Sequence, residues 1–144
     1  MFLNSITIVL CGNADRTLGA TIAWATKVER DHALVSLPKD AAVTGCIADS
    51  GTFTISVLAS DQAHVARQYG GGRQSDPREP DPADLDVERW DMPAVKGARG
   101  QFLCEVRHTL TIREQVVVIA EIVDSVASDD RPPLTYRHGD YFPT

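Results

Sequence analysis

Cysteine, net positive charge and long apolar runs are all scarce in this chain, and each scarcity removes a class of protein. Its three cysteines, Cys11, Cys46 and Cys104, are far apart, odd in number and set among apolar neighbours. Such spacing supports neither a disulfide framework nor a zinc site, and the three read as ordinary buried or half-buried thiols. No apolar stretch approaches the roughly 20 residues of a membrane span. The opening MFLNSITIVL lacks a basic flank and a small-residue cleavage site, so it reads as a strand, with the cytoplasm as the expected location. With 14 Lys and Arg against 20 Asp and Glu, the net charge of -6 offers no footprint for nucleic-acid phosphates. Neither a membrane nor a nucleic acid is an expected partner.

Catalytic constellations are missing too. His32, His64, His108 and His138 are scattered, and none has a carboxylate or Cys at a spacing that makes a triad or a metal pair. The glycines at 70 to 72 lack the Lys and Ser or Thr of a phosphate loop, and they follow a helical pattern where a dinucleotide fingerprint must follow a strand. What is present is a core. At 144 residues, 43% hydrophobic and 24% charged, the chain has the composition of one globular domain, spanning 1–144. A domain of this size buries roughly 70% of its unfolded surface.

Strand periodicity dominates. Ser5 to Cys11 is β-branched and aliphatic, and Leu18 to Val28 alternates: Ala20, Ile22, Trp24, Thr26 and Val28 on one side, Thr21, Ala23, Ala25 and Lys27 on the other. That second stretch reads as one strand with small residues and hydroxyls on a face that Val or Leu would ordinarily fill. Ala33 to Leu37 makes a further strand ended by Pro38. Ala41 to Ser50 has helical spacing with Gly51 as its stop, Thr52 to Leu58 alternates again, and a second helix runs from Ser60 or Asp61 to Tyr69. Residues 70–93, rich in Gly, Pro and charge, form a surface excursion that Trp90 and Met92 pin back onto the barrel or onto a partner chain. Gly100 to Ile112 and Gln115 to Ser128 form a long hairpin turning at Arg113 and Glu114, and the tail, Leu134 to Tyr141, reads as a last edge strand followed by a turn at Gly139. The expected fold is mainly β: a small antiparallel, Greek-key barrel with two short helices over its openings.

A site can be placed at the Leu18–Leu37 segment, the Lys39 turn leading into the first helix, and Ser56 on a neighbouring strand. A helix N-terminus presents unpaired N–H groups and partial positive charge, to which Lys39 adds a point charge, so a phosphate fits there. A planar ring would then lie across Thr21 to Thr26. Local sequence alone favours the plainer reading, in which Lys39 is a solvated turn residue and Thr21 and Thr26 face water.

These residues resemble the flavin reductase family, the FMN-binding split barrels, whose pattern G-M-T-V-S-W-x-T-x-V stands here as Gly19-Ala20-Thr21-Ile22-Ala23-Trp24-Ala25-Thr26-Lys27-Val28. Ser50 to Gly70, SGTFTISVLASDQAHVARQYG, is similar to the family's most specific segment. Lys96-Gly97-Ala98, FLCEV, EIVDSV and Asp129 to Leu134, with Tyr136 and Gly139, agree with its C-terminal half. The resemblance implies a homodimeric split barrel that holds FMN, or FAD, near the subunit interface. It nominates Thr21, Ala23, Trp24 and Thr26 for the ring and ribityl side, Lys39 and Thr44 for the phosphate turn, and Ser56 where the family has Asn. It implies hydride transfer from NAD(P)H to flavin, with a monooxygenase as partner and no protein acid or base. The turn Lys39-Asp40-Ala41-Ala42-Val43-Thr44 stands where the family has K-D-R-Y-T-H, and Arg113-Glu114-Gln115 stands where it has G-D-H. Two functions are therefore open: a reductase, and a split-barrel module that holds flavin without efficient turnover.

Overall fold

The structure, a computed structural model, describes residues 4–13, 15–22, 25–69, 81–127, 132–137 and 140–143. Strands β1 (Asn4–Ser5), β2 (Thr7–Gly12), β3 (Thr17–Ile22), β4 (Ala25–Val28) and β5 (His32–Pro38) lead to helix α1 (Ala42–Ser50). Strand β6 (Thr52–Val57) and helix α2 (Ala63–Tyr69) follow, then the short strands β7 (Leu85–Asp86) and β8 (Ala94–Val95). Long strands β9 (Gly100–Ile112) and β10 (Gln115–Ala127) precede β11 (Leu134–Arg137) and β12 (Asp140–Pro143). The fold is thus mainly β, with two α-helices among the described residues.

Seven strands form one antiparallel sheet in the order β3-β2-β6-β9-β10-β5-β4. The two strands at its edges are consecutive in the chain, with only residues 23–24 between them, and the sheet curls until β3 touches β5. This corrects the reading of Leu18 to Val28 as one strand. Its halves pair with different neighbours, β3 with β2 and β4 with β5. The alternation also changes phase: Ala20 and Ile22 pack into the core from β3, whereas Ala25 does so from β4. Simple alternation shows which residues share a face but carries no information about which strand lies alongside, so it cannot reveal a crossing from one edge to the other.

The apolar side chains divide into two clusters, one on each face of β2. On one face Val9 and Cys11 join Val35, Leu37, Phe53, Val118 and Ala120, and α1 closes this cluster with Val43 and Ile47. On the other, Ile6, Ile8 and Leu10 pack under α2 through Val65, Ala66 and Tyr69. Phe53, fully buried, is among the largest side chains in the core. Helix α1 ends as expected: Gly51 takes φ 73, and its N–H donates to the Ile47 carbonyl at 2.8 Å. Only a residue that tolerates the left-handed region closes a helix this way without strain.

Two further expectations change. The tail is a hairpin and not a single edge strand, because β11 pairs with β12 and also with β1 in a separate three-stranded sheet. Residues 70–80 of the surface excursion lie outside the described residues. Its remainder carries a 3₁₀ turn at Pro82–Asp84 and β7, and Trp90 Nε1–H donates to Asp124 Oδ2 on β10 at 2.8 Å. No described helix is long and apolar enough to cross a membrane.

Candidate functional site

The Lys39 turn is built from three elements. Strand β5 ends at Pro38 opposite Gln115, the first residue of β10, so the turn lies against the tip of the β9–β10 hairpin. The Lys39 N–H donates to the Glu114 carbonyl at 2.8 Å, and Ser36 Oγ donates to Gln115 Oε1 at 3.0 Å. The Pro38 carbonyl accepts from the Ala41 N–H at 3.1 Å and from Thr44 Oγ1 at 2.7 Å, which fixes the entry into α1. Arg113 at the hairpin tip takes φ 52, an uncommon conformation for a side chain of this size.

The start of α1 is chemically bare. Ala41, the residue before it, has no side chain to cap the helix, and no acidic residue stands in the first turn. The Thr44 N–H donates to the Ala41 carbonyl at 3.0 Å, and without a side-chain cap or a first-turn carboxylate the positive end of the helix dipole stays uncompensated by charge and attracts an external anion. The side chains of Lys39 and Asp40 are both exposed beside it.

Sequence-nominated residues fall into separate groups. Lys39 and Thr44 share the turn, through Pro38. Thr26 lies exposed on β4 opposite Leu34, and Ala25 lies opposite Val35, four residues before Lys39. At about 3.4 Å per residue, roughly 13 Å of strand separates Ala25 from the turn. Ala23 and Trp24, the centre of the proposed ring platform, lie outside the described residues. Thr21 does not face water: its Oγ1 donates to the Ala66 carbonyl on α2 at 2.7 Å. Ser56 is fully buried, and its Oγ accepts from the Val95 N–H at 3.0 Å, so it holds β8 against β6. Thr21 and Ser56 flank Ile8 on one row of the sheet, on the side of α2.

A cleft that the sequence did not reveal sits at the far end of β4 and β5. It encloses about 260 Å³ and is lined by Lys27, Arg30, Asp31, Phe102, Ile122 and Asp124, among others. Lys27 and Arg30 are ordinary surface cations in the linear pattern; only the pairing of Val28 with His32 turns them toward β10. Asp124 at this cleft is held below the usual carboxylate range by the Trp90 indole N–H, with help from the Ser125 N–H. Elsewhere Arg107 is raised by its bonds to Glu121 and Glu105 on the outer sheet face, and burial pushes the Cys104 thiol up to about 12. Among the described residues no group of His, Cys, Asp and Glu is arranged to hold a metal.

Comparison with known proteins places the fold and the family. The family model described as flavin reductase like domain matches residues 2–144. A relative from Rhodococcus sp, an NADH-dependent flavin reductase, is 29% identical over 145 residues, covering 97% of this chain and 79% of that protein. BorF, the flavin reductase component of a bacterial two-component tryptophan halogenase, superposes with a TM-score of 0.85 at 27% identity, covering 99% of this chain and 92% of BorF. The fold is shared as well by the Streptomyces globisporus C-1027 NADH:FAD oxidoreductase SgcE6, solved with NAD and FAD fragments, with a TM-score of 0.88 at 20% identity over 99% of this chain and 86% of that one. With a family match over nearly its whole length and this architecture beneath it, the chain belongs to the flavin reductase like domain family.

Proposed function

We propose that this chain is a split-barrel oxidoreductase that binds FMN, or FAD, and passes hydride to it from NAD(P)H. The observation that carries the reading is the Lys39 turn: a cation beside a bare helix N-terminus, tied by its backbone to Glu114 on the hairpin tip and lying at the end of the strand that pairs with β4. The donor set suits a flavin phosphate, since the positive end of α1 and Lys39 both favour a dianion and no first-turn carboxylate opposes it. Thr26 with Ala23 and Trp24 would line the ring and ribityl chain. Thr44 would hold the turn in shape through Pro38, while Thr21 and Ser56 would fix the wall behind by their bonds to Ala66 and Val95.

Flavin supplies the redox chemistry when bound, accepting hydride at its N5 position; the chain's own residues bind, orient and shield. The chain is read here as a homodimer, because the outer face of the β9–β10 hairpin leaves Leu110 61% and Ile112 54% exposed. A two-component partner, a monooxygenase or halogenase that consumes reduced flavin, fits the company its relative BorF keeps.

A second reading, a flavin-holding module with little turnover, draws on Ala41, Ala42 and Val43 in the phosphate turn and on Arg113-Glu114-Gln115 at the hairpin tip. One experiment separates the two. Reconstitution with FMN is expected to shift the flavin absorption bands and to retain flavin through gel filtration. Anaerobic NADH or NADPH is then expected to bleach the flavin over many turnovers. Retention without bleaching selects the module, and an unshifted spectrum with no retention removes both.

A further inference from the structure

Two of the three cysteines, distant in sequence, meet in the fold. Cys46 Sγ on α1 lies 2.6 Å from Cys11 Sγ on β2, across a separation of 35 residues. Cys11 is buried, and its sulfur is also 3.4 Å from both Ser50 Oγ and the Thr52 carbonyl; Cys46 is half-buried and can be reached from solvent. Both are free thiols. A disulfide has sulfur atoms about 2.05 Å apart, so closure asks for a shift of about half an ångström between a strand and a helix already in contact.

We propose that Cys11 and Cys46 form a peroxide-responsive thiol pair whose disulfide clamps α1 to β2. The roles follow from exposure. Cys46 is the peroxidatic thiol: its sulfur attacks one oxygen of hydrogen peroxide, the O–O bond breaks, Cys46 becomes a sulfenic acid and water leaves. Cys11 is the resolving thiol: its sulfur attacks the Cys46 sulfur, the S–O bond breaks, and hydroxide departs with the Cys11 proton as a second water. Two thiols and one peroxide thus give one disulfide and two waters. Burial, then the contact with Cys46, pushes the Cys11 thiol up to about 12, which keeps it protonated and leaves the first attack on peroxide to Cys46.

The clamp joins α1, whose first turn forms the Lys39 site, to β2, which lies between β3 and β6 in the sheet. The oxidant has a ready source if the flavin reading above holds, because reduced flavin released into air is oxidised by oxygen to give hydrogen peroxide. The thiol chemistry itself does not depend on that reading, and reagent peroxide tests it alone.

The full-length chain, freed of reductant, is treated with stoichiometric hydrogen peroxide, alkylated, and mapped as non-reduced peptides. A peptide pair joined through Cys11 and Cys46 is expected, with two of the three thiols lost and Cys104 still alkylated. The melting temperature is expected to rise by about 5–10 °C and to return with dithiothreitol, as for a cross-link closing a loop of this length. Cys104→Ser is expected to keep the cross-link and the shift; Cys46→Ser, checked by its own melting curve, or Cys46→Ala if the serine variant unfolds, is expected to lose both. Three alkylatable thiols after treatment, a Cys46 sulfinate with Cys11 still alkylatable, or a cross-link to Cys104 or between two chains overturns the proposal.

Discussion

The backbone N–H of Lys39 donates to the carbonyl of Glu114 at 2.8 Å, joining the end of β5 to the tip of the β9–β10 hairpin. Because this bond is made by the main chain, the Lys39 side chain is left exposed for a ligand, and substituting it leaves the turn intact. Lys39→Glu is therefore expected to weaken FMN binding about tenfold, since it replaces an attraction to phosphate by a repulsion at a helix end where each charge contributes about 0.3–1 kcal/mol. Riboflavin, which lacks the phosphate, is expected to change less than about twofold. Fluorescence titration of both ligands checks this, and equal losses would remove Lys39 from the site.

Most of the architecture was legible because its signals are local. Gly51 stops α1 through its own φ, Pro38 ends β5, and the long alternation on either side of Arg113 and Glu114 gives the hairpin. The site was legible in part. Lys39 and Thr44 meet because they are neighbours in the chain. Thr21 and Ser56, by contrast, turn to Ala66 and Val95, partners some 40 residues away that no local pattern names. The same reason hid the break between β3 and β4, the cleft at Lys27 and Arg30, and the Cys11–Cys46 contact: each depends on which elements lie side by side.

Two glycines should respond oppositely to the same substitution. A Cβ on Gly19 in β3 would lie 2.6 Å from Leu10 Cδ2 and 2.7 Å from Tyr69 Cδ1, inside the α2 cluster. Gly19→Ala is expected to cost about 1–3 kcal/mol from overpacking. Gly45, exposed within α1, has nothing within 4 Å of its Cβ position. Gly45→Ala is expected to stabilise by about 0.5–1 kcal/mol through helix propensity. Urea denaturation of the two variants reads both signs.

Asp124 gives the Trp90 strap a pH dependence of known sign. Its carboxylate is held below the ordinary value of 3.8, first by the Trp90 N–H and next by the Ser125 N–H. A depressed folded-state value means the stabilisation is fully present above the ordinary value and is lost as pH falls through the folded one. Trp90 emission is therefore expected to stay constant from neutrality down to about pH 4 and to change below it. In Asp124→Asn, which keeps an acceptor but cannot titrate, this component of the acid limb is expected to vanish. Fluorescence of the two proteins across pH 2.5–7 checks it, and identical acid limbs would show that the Asp124 bond does not report.

The outer face of the hairpin separates fold from assembly. Leu110 stands opposite Val117, and Ile119 opposite Leu34, so apolar side chains from two rows, which also hold Ser36 and His108, form a patch over β9, β10 and β5 on the side away from the core. Leu110 is 61% exposed and Val28, on β4, 39%, whereas Trp90 and Phe102 are half-buried. Covering the rest of a leucine is worth about 1–2 kcal/mol, and a two-fold axis repeats the contact on both copies. Leu110→Asp is expected to weaken self-association roughly 100-fold. The monomer's own stability should move less than about 0.5 kcal/mol, because the side chain is mostly in water there. Sedimentation velocity at micromolar concentration, with urea denaturation beside it, distinguishes the two effects. A wild-type chain that sediments only as monomer would remove the dimer, and a variant that loses both stability and association would place Leu110 in the core instead of at the interface.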